Sequence, residues 1–167
     1  MKKISLAIGA VMMSGMVVLQ ANAMPNPWVE CGSDFNCGAE KAGFNFPLKV
    51  ENYTVRAMKG MFEIRFPLDD ERNVIVRKAQ IFDGEADDNG IIDISGDYNI
   101  YPINKVVTLE NGVKFAVRGE EDNYKVVNFA AETGYYSIIC DKGLNQEDIE
   151  YFYQLLADAE APKYDED

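Results

Sequence analysis

Apolar and polar residues alternate along the middle of the chain, and this period of two is typical of β-strands. In the stretch MFEIRFP, the alternate apolar positions are Phe62, Ile64 and Phe66. Glu63 and Arg65 lie between them and carry side chains that suit water. We therefore predict a meander of antiparallel strands with one apolar face and one wet, charged face.

Further runs with strand character lie on both sides of this stretch. NYTVRAMKG precedes it and meets it at Gly60, and NVIVRKAQIF follows it. VVTLENGVKFAVRG reads as a hairpin, because Asn111-Gly112 favours a tight two-residue turn. YKVVNFAAETGYYSIIC reads as a second hairpin that turns near Gly134. Its strands are almost continuously apolar, so we expect them in mid-sheet, covered on both faces.

A short helix is predicted near the start, from Asp34 to Ala42. Ser33 suits its N-cap, and Gly43 suits the left-handed position that follows a helix. Its inward face would carry apolar side chains, and Trp28 is expected to cover the same face.

The last element is a helix with Asn145 as its N-cap. Its apolar stripe has helical spacing and needs a sheet to cover; the stripe consists of Ile149, Phe152, Tyr153 and Leu156. The fold prediction is therefore one α+β domain over residues 24–157. An antiparallel sheet of about six to eight strands packs against the C-terminal helix, with the short N-terminal helix nearby. Residues 158–167 are predicted to be an acidic, disordered tail.

Residues 1–23 have the pattern of an export signal. Lys2 and Lys3 precede an apolar stretch, and Ala21-Asn22-Ala23 supplies small residues before a cleavage site. The mature chain would then begin near Met24 in the periplasm or outside the cell. The alternative is a retained membrane anchor, although the apolar run is shorter than the twenty or so residues that span a bilayer.

The charge of the chain is strongly negative, with 28 acidic and 16 basic residues. Removing the signal takes away Lys2 and Lys3, which leaves 14 basic residues and a net charge near −14. Such a surface repels nucleic acid and anionic lipid, because each phosphate contact needs a cation. We expect a monomer without a membrane span after signal removal, and an envelope protein or a small ligand as its partner.

Three cysteines remain after the signal: Cys31, Cys37 and Cys140. In an oxidising compartment we expect one disulfide and one free thiol. Cys31 and Cys37 flank a helix start, where their side chains diverge unless the chain bends back. The sequence therefore favours Cys31–Cys140, with Cys37–Cys140 as the competing pair. Closing a loop of about a hundred residues would stabilise the fold by about 4–5 kcal/mol.

The chain has no histidine, and this narrows its chemistry. Nucleophiles activated by histidine and the common zinc sites are excluded. No glycine-rich phosphate cradle follows a strand, and no cofactor is indicated. We therefore predict that the protein is not an enzyme. The remaining catalytic alternative is a hydrolase that uses two carboxylates facing each other across a cleft.

The acidic stretch DGEADDNGIIDISGD, at 83–97, partly matches a calcium loop. Glu85, Asp87 and Asn89 supply oxygens at the first three ligand positions of that loop, and Gly90 follows in register. The last ligand position fails, because Asp97 falls one residue late. The competing interpretation is a solvated turn at 87–90, followed by IIDISGDY as an edge strand that ends at Gly96.

Several stretches together resemble a known family of small exported bacterial proteins. They are NPWVECGSDFNCGAEKAGFNFPL, DISGDYNIY and FAAETGYYSIICDKGLNQEDI. The ending is similar to the 4367-like domain of unknown function on the outer side of membrane-bound anti-sigma-factor-like proteins. The resemblance implies an α+β domain outside the cytoplasm with no assigned activity. It also favours Cys31–Cys140, because it implies an ordinary helix residue at Cys37.

The sequence thus predicts a non-catalytic binding or interaction module of the bacterial envelope. The first alternative is a calcium-responsive domain that uses Glu85, Asp87, Asn89 and Asp97. The second is the carboxylate hydrolase. A pocket with two carboxylates facing each other across apolar walls would favour the hydrolase, whereas a continuous exposed apolar patch would favour the interaction module.

Overall fold

The computed structural model describes residues 26–46, 48–80 and 84–160. The predicted signal peptide, 1–23, lies outside these ranges, as do residues 161–167 of the predicted tail. Residues 158–160 belong instead to the last helix, which runs further than expected. Within the three ranges, no helix combines the length and apolar character needed to cross a membrane.

Eight strands and two helices form in the order β1, α1, β2 to β8, α2. Their bounds are β1 Val29–Gly32, α1 Phe35–Ala42, β2 Thr54–Met58, β3 Met61–Pro67, β4 Asn73–Ala79, β5 Ile103–Thr108, β6 Lys114–Glu120, β7 Asn123–Ala131, β8 Gly134–Leu144 and α2 Gln146–Glu160.

All eight strands lie in one antiparallel sheet in the order β1-β2-β3-β4-β8-β7-β6-β5. Strands β1–β4 form one meander and β5–β8 form another, and β4 pairs with β8 to join them. The α+β class and the number of strands are therefore confirmed.

Both helices cover the same face of the sheet, here called the helix face. Its core contains the predicted apolar set of β3, including Phe62 and Ile64, which are fully buried. Aromatic contacts tie each helix to this core. Phe35 of α1 lies 5.9 Å from Phe62 between ring centroids, and Phe152 of α2 lies 6.2 Å from Phe66.

The helix termini follow the capping rules, with one shift of register. Asp34, rather than Ser33, is the N-cap of α1, and its carboxylate accepts hydrogen bonds from the backbone N–H groups of Asn36 and Cys37. A carboxylate at this end also gains from the helix dipole. The predicted cap of α2 is confirmed, because Asn145 accepts from the N–H of Asp148 at 2.9 Å.

The β5–β6 hairpin turns at Asn111-Gly112 as predicted, but its loop is longer than two residues. The N–H of Leu109 donates to the carbonyl of Val113 at 2.9 Å, so three residues lie between the last paired positions. The β7–β8 hairpin turns at 132–133, as predicted.

The predicted Cys31–Cys140 disulfide is wrong, because the structure bonds Cys31 to Cys37 with Cα atoms 5.7 Å apart. The chain does bend back: Gly32 has a φ of +60°, and the N–H of Asp34 donates to the carbonyl of Cys31. Cys140 is a buried free thiol on the helix face of β8. A short loop of this kind contributes about 2 kcal/mol in the chain-entropy model.

The expectation of one wet face is also wrong. Glu63, predicted to lie in water, is fully buried on the face opposite the helices. Trp28 lies on that opposite face as well, rather than with α1. The cover on this second face is formed by residues between 84 and 102, which precede β5.

The disulfide assignment predicts a simple thiol count. Unfolding without reductant should expose one alkylatable thiol, and reduction should expose all three. The native protein should react slowly, because Cys140 is buried and its burial raises the pKa of the thiol. Mass spectrometry of the alkylated protein gives the count, and a disulfide-linked peptide that contains Cys140 would contradict the assignment.

Candidate functional site

Residues 84–102, here called the crossing segment, connect two strands that are far apart in the sheet. It follows β4 and leads to β5, and three strands lie between these two in the sheet. Four strand spacings amount to about 19 Å, so this connection has to pass over a face of the sheet. The helices occupy the other face. The predicted edge strand at IIDISGDY does not form, since none of residues 84–102 lies in a strand.

Apolar side chains anchor the crossing segment to the sheet. Ile92 and Ile94 are almost fully buried and form a cluster with Met61 of β3 and Ala79 of β4. Trp28 packs against the same cluster. This second core is smaller than the one under the helices, and it covers the part of the second face around Glu63.

A row of polar residues runs across the sheet beside this cluster. Strand pairing places its members opposite one another from edge strand β1 to β7; they are Glu30, Arg56, Glu63, Arg77, Ser137 and Asn128. The last two are buried and joined by a hydrogen bond of 2.6 Å from the Ser137 hydroxyl to the Asn128 amide oxygen. We call these six residues the polar row.

Glu63 is the centre of the row and contacts three guanidinium groups. Arg56 donates to both carboxylate oxygens, with Nε at 2.5 Å and Nη2 at 3.0 Å. Arg77 Nε donates to Oε2 at 2.5 Å, and Arg65 Nε donates to Oε1 at 2.6 Å. A carboxylate without solvent is therefore held entirely by charged hydrogen bonds, which are the strong ones.

Two opposing effects act on the pKa of Glu63. Burial alone would raise it, because the charged form loses its hydration. The hydrogen bonds and positive charges of Arg56, Arg77 and Arg65 outweigh burial, so the pKa lies below its ordinary value of 4.5. Glu63 is therefore ionised at neutral pH, although no solvent reaches it.

Trp28 covers two of these arginines from the β1 side. Its ring centroid lies 4.4 Å from Cζ of Arg56 and 5.4 Å from Cζ of Arg77. A cation over an indole face is attracted to it, and the attraction grows when water is excluded. The single tryptophan is thus a packing residue of the polar row.

Two arginines connect the sheet to the crossing segment. Arg77 Nη1 donates to the backbone carbonyls of Ser95 and of Ile94, the latter at 3.2 Å. Arg118 Nη2 donates to the Ser95 hydroxyl at 3.0 Å and contacts Asp93 at 2.8 Å. Gly96 allows this approach, because a Cβ there would lie 3.0 Å from Arg77 Nη1 and the residue has a φ of +63°.

Side-chain hydrogen bonds fix the turns that follow. The N–H of Ser95 donates to Asp93, and the N–H of Asp97 donates to the Ser95 hydroxyl. Asp97 then accepts from the N–H of Asn99 at 2.8 Å and from the Tyr101 hydroxyl at 2.9 Å. Such turns supply backbone groups with partners where no strand or helix can.

The fixed turns present two large apolar side chains to solvent. Tyr98 is 92% exposed and Ile100 is 99% exposed. The other exposed large hydrophobics among the described residues are covered to a greater extent, and the next in order is Tyr151 at 52%. We call residues 98–100 the tip.

The candidate calcium residues do not form a metal site in the described ranges. No three Asp, Glu, Cys or His side chains there are grouped to hold an ion. Asp87 accepts from the N–H groups of Asn89 and Ile91, and Asn89 accepts from Lys114 at 3.0 Å. Glu85 is exposed, and Asp97 is bound within the turn described above. The predicted turn at 87–90 is confirmed by the bond from Gly90 to Asp87.

Three surface cavities in the described part of the chain are large enough to hold a small ligand. One of about 280 Å³ lies between α2 and the β7–β8 hairpin, and Glu132 is the acid in its lining. A second of about 600 Å³ borders α1 and contains Glu51. A third of about 400 Å³ borders Tyr101 and contains Asp141. Each lining thus carries one carboxylate, and none has the opposed pair that favours the hydrolase.

The polar row was missed because its residues alternate with apolar ones in the ordinary pattern of a strand with one wet face. A signal was nevertheless present in the sequence. Arg56, Glu63 and Arg77 fall on the same face of three consecutive strands, so opposite charges face each other across the strands.

Comparisons of the chain with family models, curated proteins and solved structures find no match.

Removing the charge of Glu63 tests the row. Glu63→Gln should lower the free energy of unfolding by about 3–5 kcal/mol, because it leaves buried guanidinium groups without their anion. Glu30→Gln is the control, since Glu30 lies 4.0 Å from Arg56 with 69% of its side chain exposed. We expect it to cost at most about 1 kcal/mol in urea unfolding experiments. Equal losses in the two variants would contradict the assignment.

The pH dependence of stability gives an independent test. The folded pKa of Glu63 lies below 4.5, so the unfolded chain takes up the proton first as the pH falls. Its stabilisation is therefore present above about pH 4.5 and is lost as the pH falls through the folded pKa. In Glu63→Gln, the free energy of unfolding should fall less steeply as the pH is lowered, because no carboxylate at position 63 takes up a proton. Urea titrations between neutral and acidic pH measure the difference.

Proposed function

We propose that this protein is a non-catalytic interaction module that acts outside the cytoplasm, and that the tip is its contact element. The observation that carries the proposal is the exposure of Tyr98 and Ile100 on a segment that is fixed at both ends. Burying one such side chain at an interface contributes about 1.5–3 kcal/mol.

Preorganisation supports a binding role for the tip. A flexible loop loses conformational entropy when it binds, whereas a loop already held by hydrogen bonds loses less. The tip follows directly after Asp97, which is bound to Asn99 and Tyr101. Arg77 and Arg118 hold the preceding residues to the sheet. The sheet and the polar row thus support the tip and hold its backbone in place.

Two observations are consistent with a location outside the cytoplasm. The sequence begins with the pattern of an export signal, and the Cys31–Cys37 bond is compatible with an oxidising compartment. The resemblance to exported proteins with an outward-facing domain points the same way. A binding role without catalysis is favoured by the absence of histidine and by cavities that each contain a single carboxylate.

Photo-crosslinking in the cells that make the protein tests the tip directly. A photoreactive phenylalanine analogue at Tyr98 should give an adduct of discrete mass. The same analogue at Tyr151, which is 52% exposed on α2, serves as the control and should not give that adduct. Adding Ile100→Ser to the Tyr98 variant should lower the yield about tenfold, which corresponds to a loss of about 1.4 kcal/mol.

Folding is not expected to confuse this result. Tyr98 and Ile100 are almost fully exposed, and surface substitutions of this kind usually change stability by less than about 0.5 kcal/mol. Equal adducts from positions 98 and 151, or a yield that does not depend on Ile100, would overturn the proposal.

A further inference from the structure

Strand β5 is an edge strand that leaves one side of its backbone open. It is the last strand in the sheet order and pairs with β6 without a break in register over all six residues. Among the described residues, no backbone group from another element bonds to its outer side. A regular edge of this kind can accept a further strand.

The opposite edge of the sheet, strand β1, is better protected against the addition of a strand than β5 is. Strand β1 has four residues, and its pairing with β2 shifts register between Glu30 and Gly32. The Cys31–Cys37 bond also ties it to α1. Short, irregular edges discourage the addition of strands, so β5 can accept a further strand more readily than β1.

The open edge begins next to the tip. Ile100 precedes the first residue of β5 by three positions, which limits their separation to about 11 Å. Val106 is 40% exposed in the middle of the strand. A lysine on an edge strand can discourage the addition of another strand, but Lys105 Nζ donates to Glu121 Oε1 at 2.7 Å. Exposed apolar side chains and unpaired backbone groups therefore lie side by side.

Charge indicates which segment would fit there. The crossing segment carries five acids and no Lys or Arg; the acids are Glu85, Asp87, Asp88, Asp93 and Asp97. The chain as a whole has a net charge of −12. A basic segment is attracted to a chain with this net charge, whereas a second copy of the chain is repelled from it.

We propose that a basic, extended segment of another protein binds as a ninth strand along β5, with its apolar side chains on Val106 and Ile100. This inference rests on the proposed role of the tip and names the chemistry of its partner. Backbone hydrogen bonds to β5 give affinity, and the apolar and basic side chains give selectivity.

Hydrogen exchange with a synthetic probe tests this mode of binding. The probe is a blocked peptide of alternating lysine and valine that is as long as β5. It should slow the exchange of the outward amides of β5 by about tenfold or more while β1 is unaffected. A control peptide with prolines in place of the valines keeps the charge but cannot pair, and it should give no protection.

Matched variants separate strand addition from general attraction of charge. Val106→Lys and Val29→Lys make the same charge change at edge positions that are 40% and 39% exposed. Val106→Lys should weaken binding of the lysine–valine peptide about tenfold or more, and Val29→Lys should change it by less than twofold. Equal weakening in the two variants would overturn the inference.

The remaining outcomes are also decisive. Protection of β5 that appears without peptide and rises with protein concentration would mean that a second copy occupies the edge, and it would overturn the proposal. Protection by the proline peptide would mean non-specific attraction and would also overturn it. A specific adduct from position 98 without protection of β5 would leave the interaction role standing and refute the strand addition alone.

Discussion

The second face of the sheet depends on the ion cluster around Glu63. A carboxylate removed from water costs several kcal/mol unless cations and hydrogen bonds replace its hydration. Arg56, Arg65 and Arg77 supply both, and their own placement follows from strand pairing. Arg77 has further N–H groups beyond those that contact Glu63, and these bind carbonyls of the crossing segment. The buried charge and the cover over it are therefore parts of one arrangement: the cover excludes water from Glu63, and the arginine that neutralises Glu63 holds the cover.

Local patterns in the sequence were sufficient for the elements but not for this cover. Alternation located β2 to β6, and nearly continuous apolar runs located β7 and β8, whereas β1 was not predicted. Capping residues located α2 and, within one residue, α1. The burial of Glu63 could not be predicted in the same way, because it depends on which strands are neighbours. Only the order β4-β8-β7-β6-β5 forces residues 84–102 across the sheet. The disulfide prediction failed because it also depended on a feature that the local pattern did not reveal. The backbone bends at Gly32 and brings Cys31 to Cys37.

The acids of the crossing segment have a structural explanation that does not require a metal. An irregular segment over a sheet cannot use a ladder of backbone hydrogen bonds, so its N–H groups need other acceptors. Asp87, Asp93 and Asp97 accept from N–H groups two to four residues ahead. Hydrogen bonds from Asn99 and Tyr101 also lower the pKa of Asp97 against the opposing effect of burial. Of the residues that suggested a calcium loop, Asp87 and Asp97 thus accept hydrogen bonds within the turns that hold the segment in place.

The same turns explain why exposed apolar residues can persist at the tip. In a flexible loop, Tyr98 and Ile100 could fold back onto the sheet, where they would be covered. The hydrogen bonds of Asp97 and the anchors at Ser95 prevent this, because they fix the backbone on the side of the tip that meets the sheet. Pro102 and the regular pairing of β5 fix the other side. The ion cluster therefore does more than stabilise the sheet. Through Arg77 it also holds the crossing segment in the position that leaves Tyr98 and Ile100 exposed beside the open edge of β5.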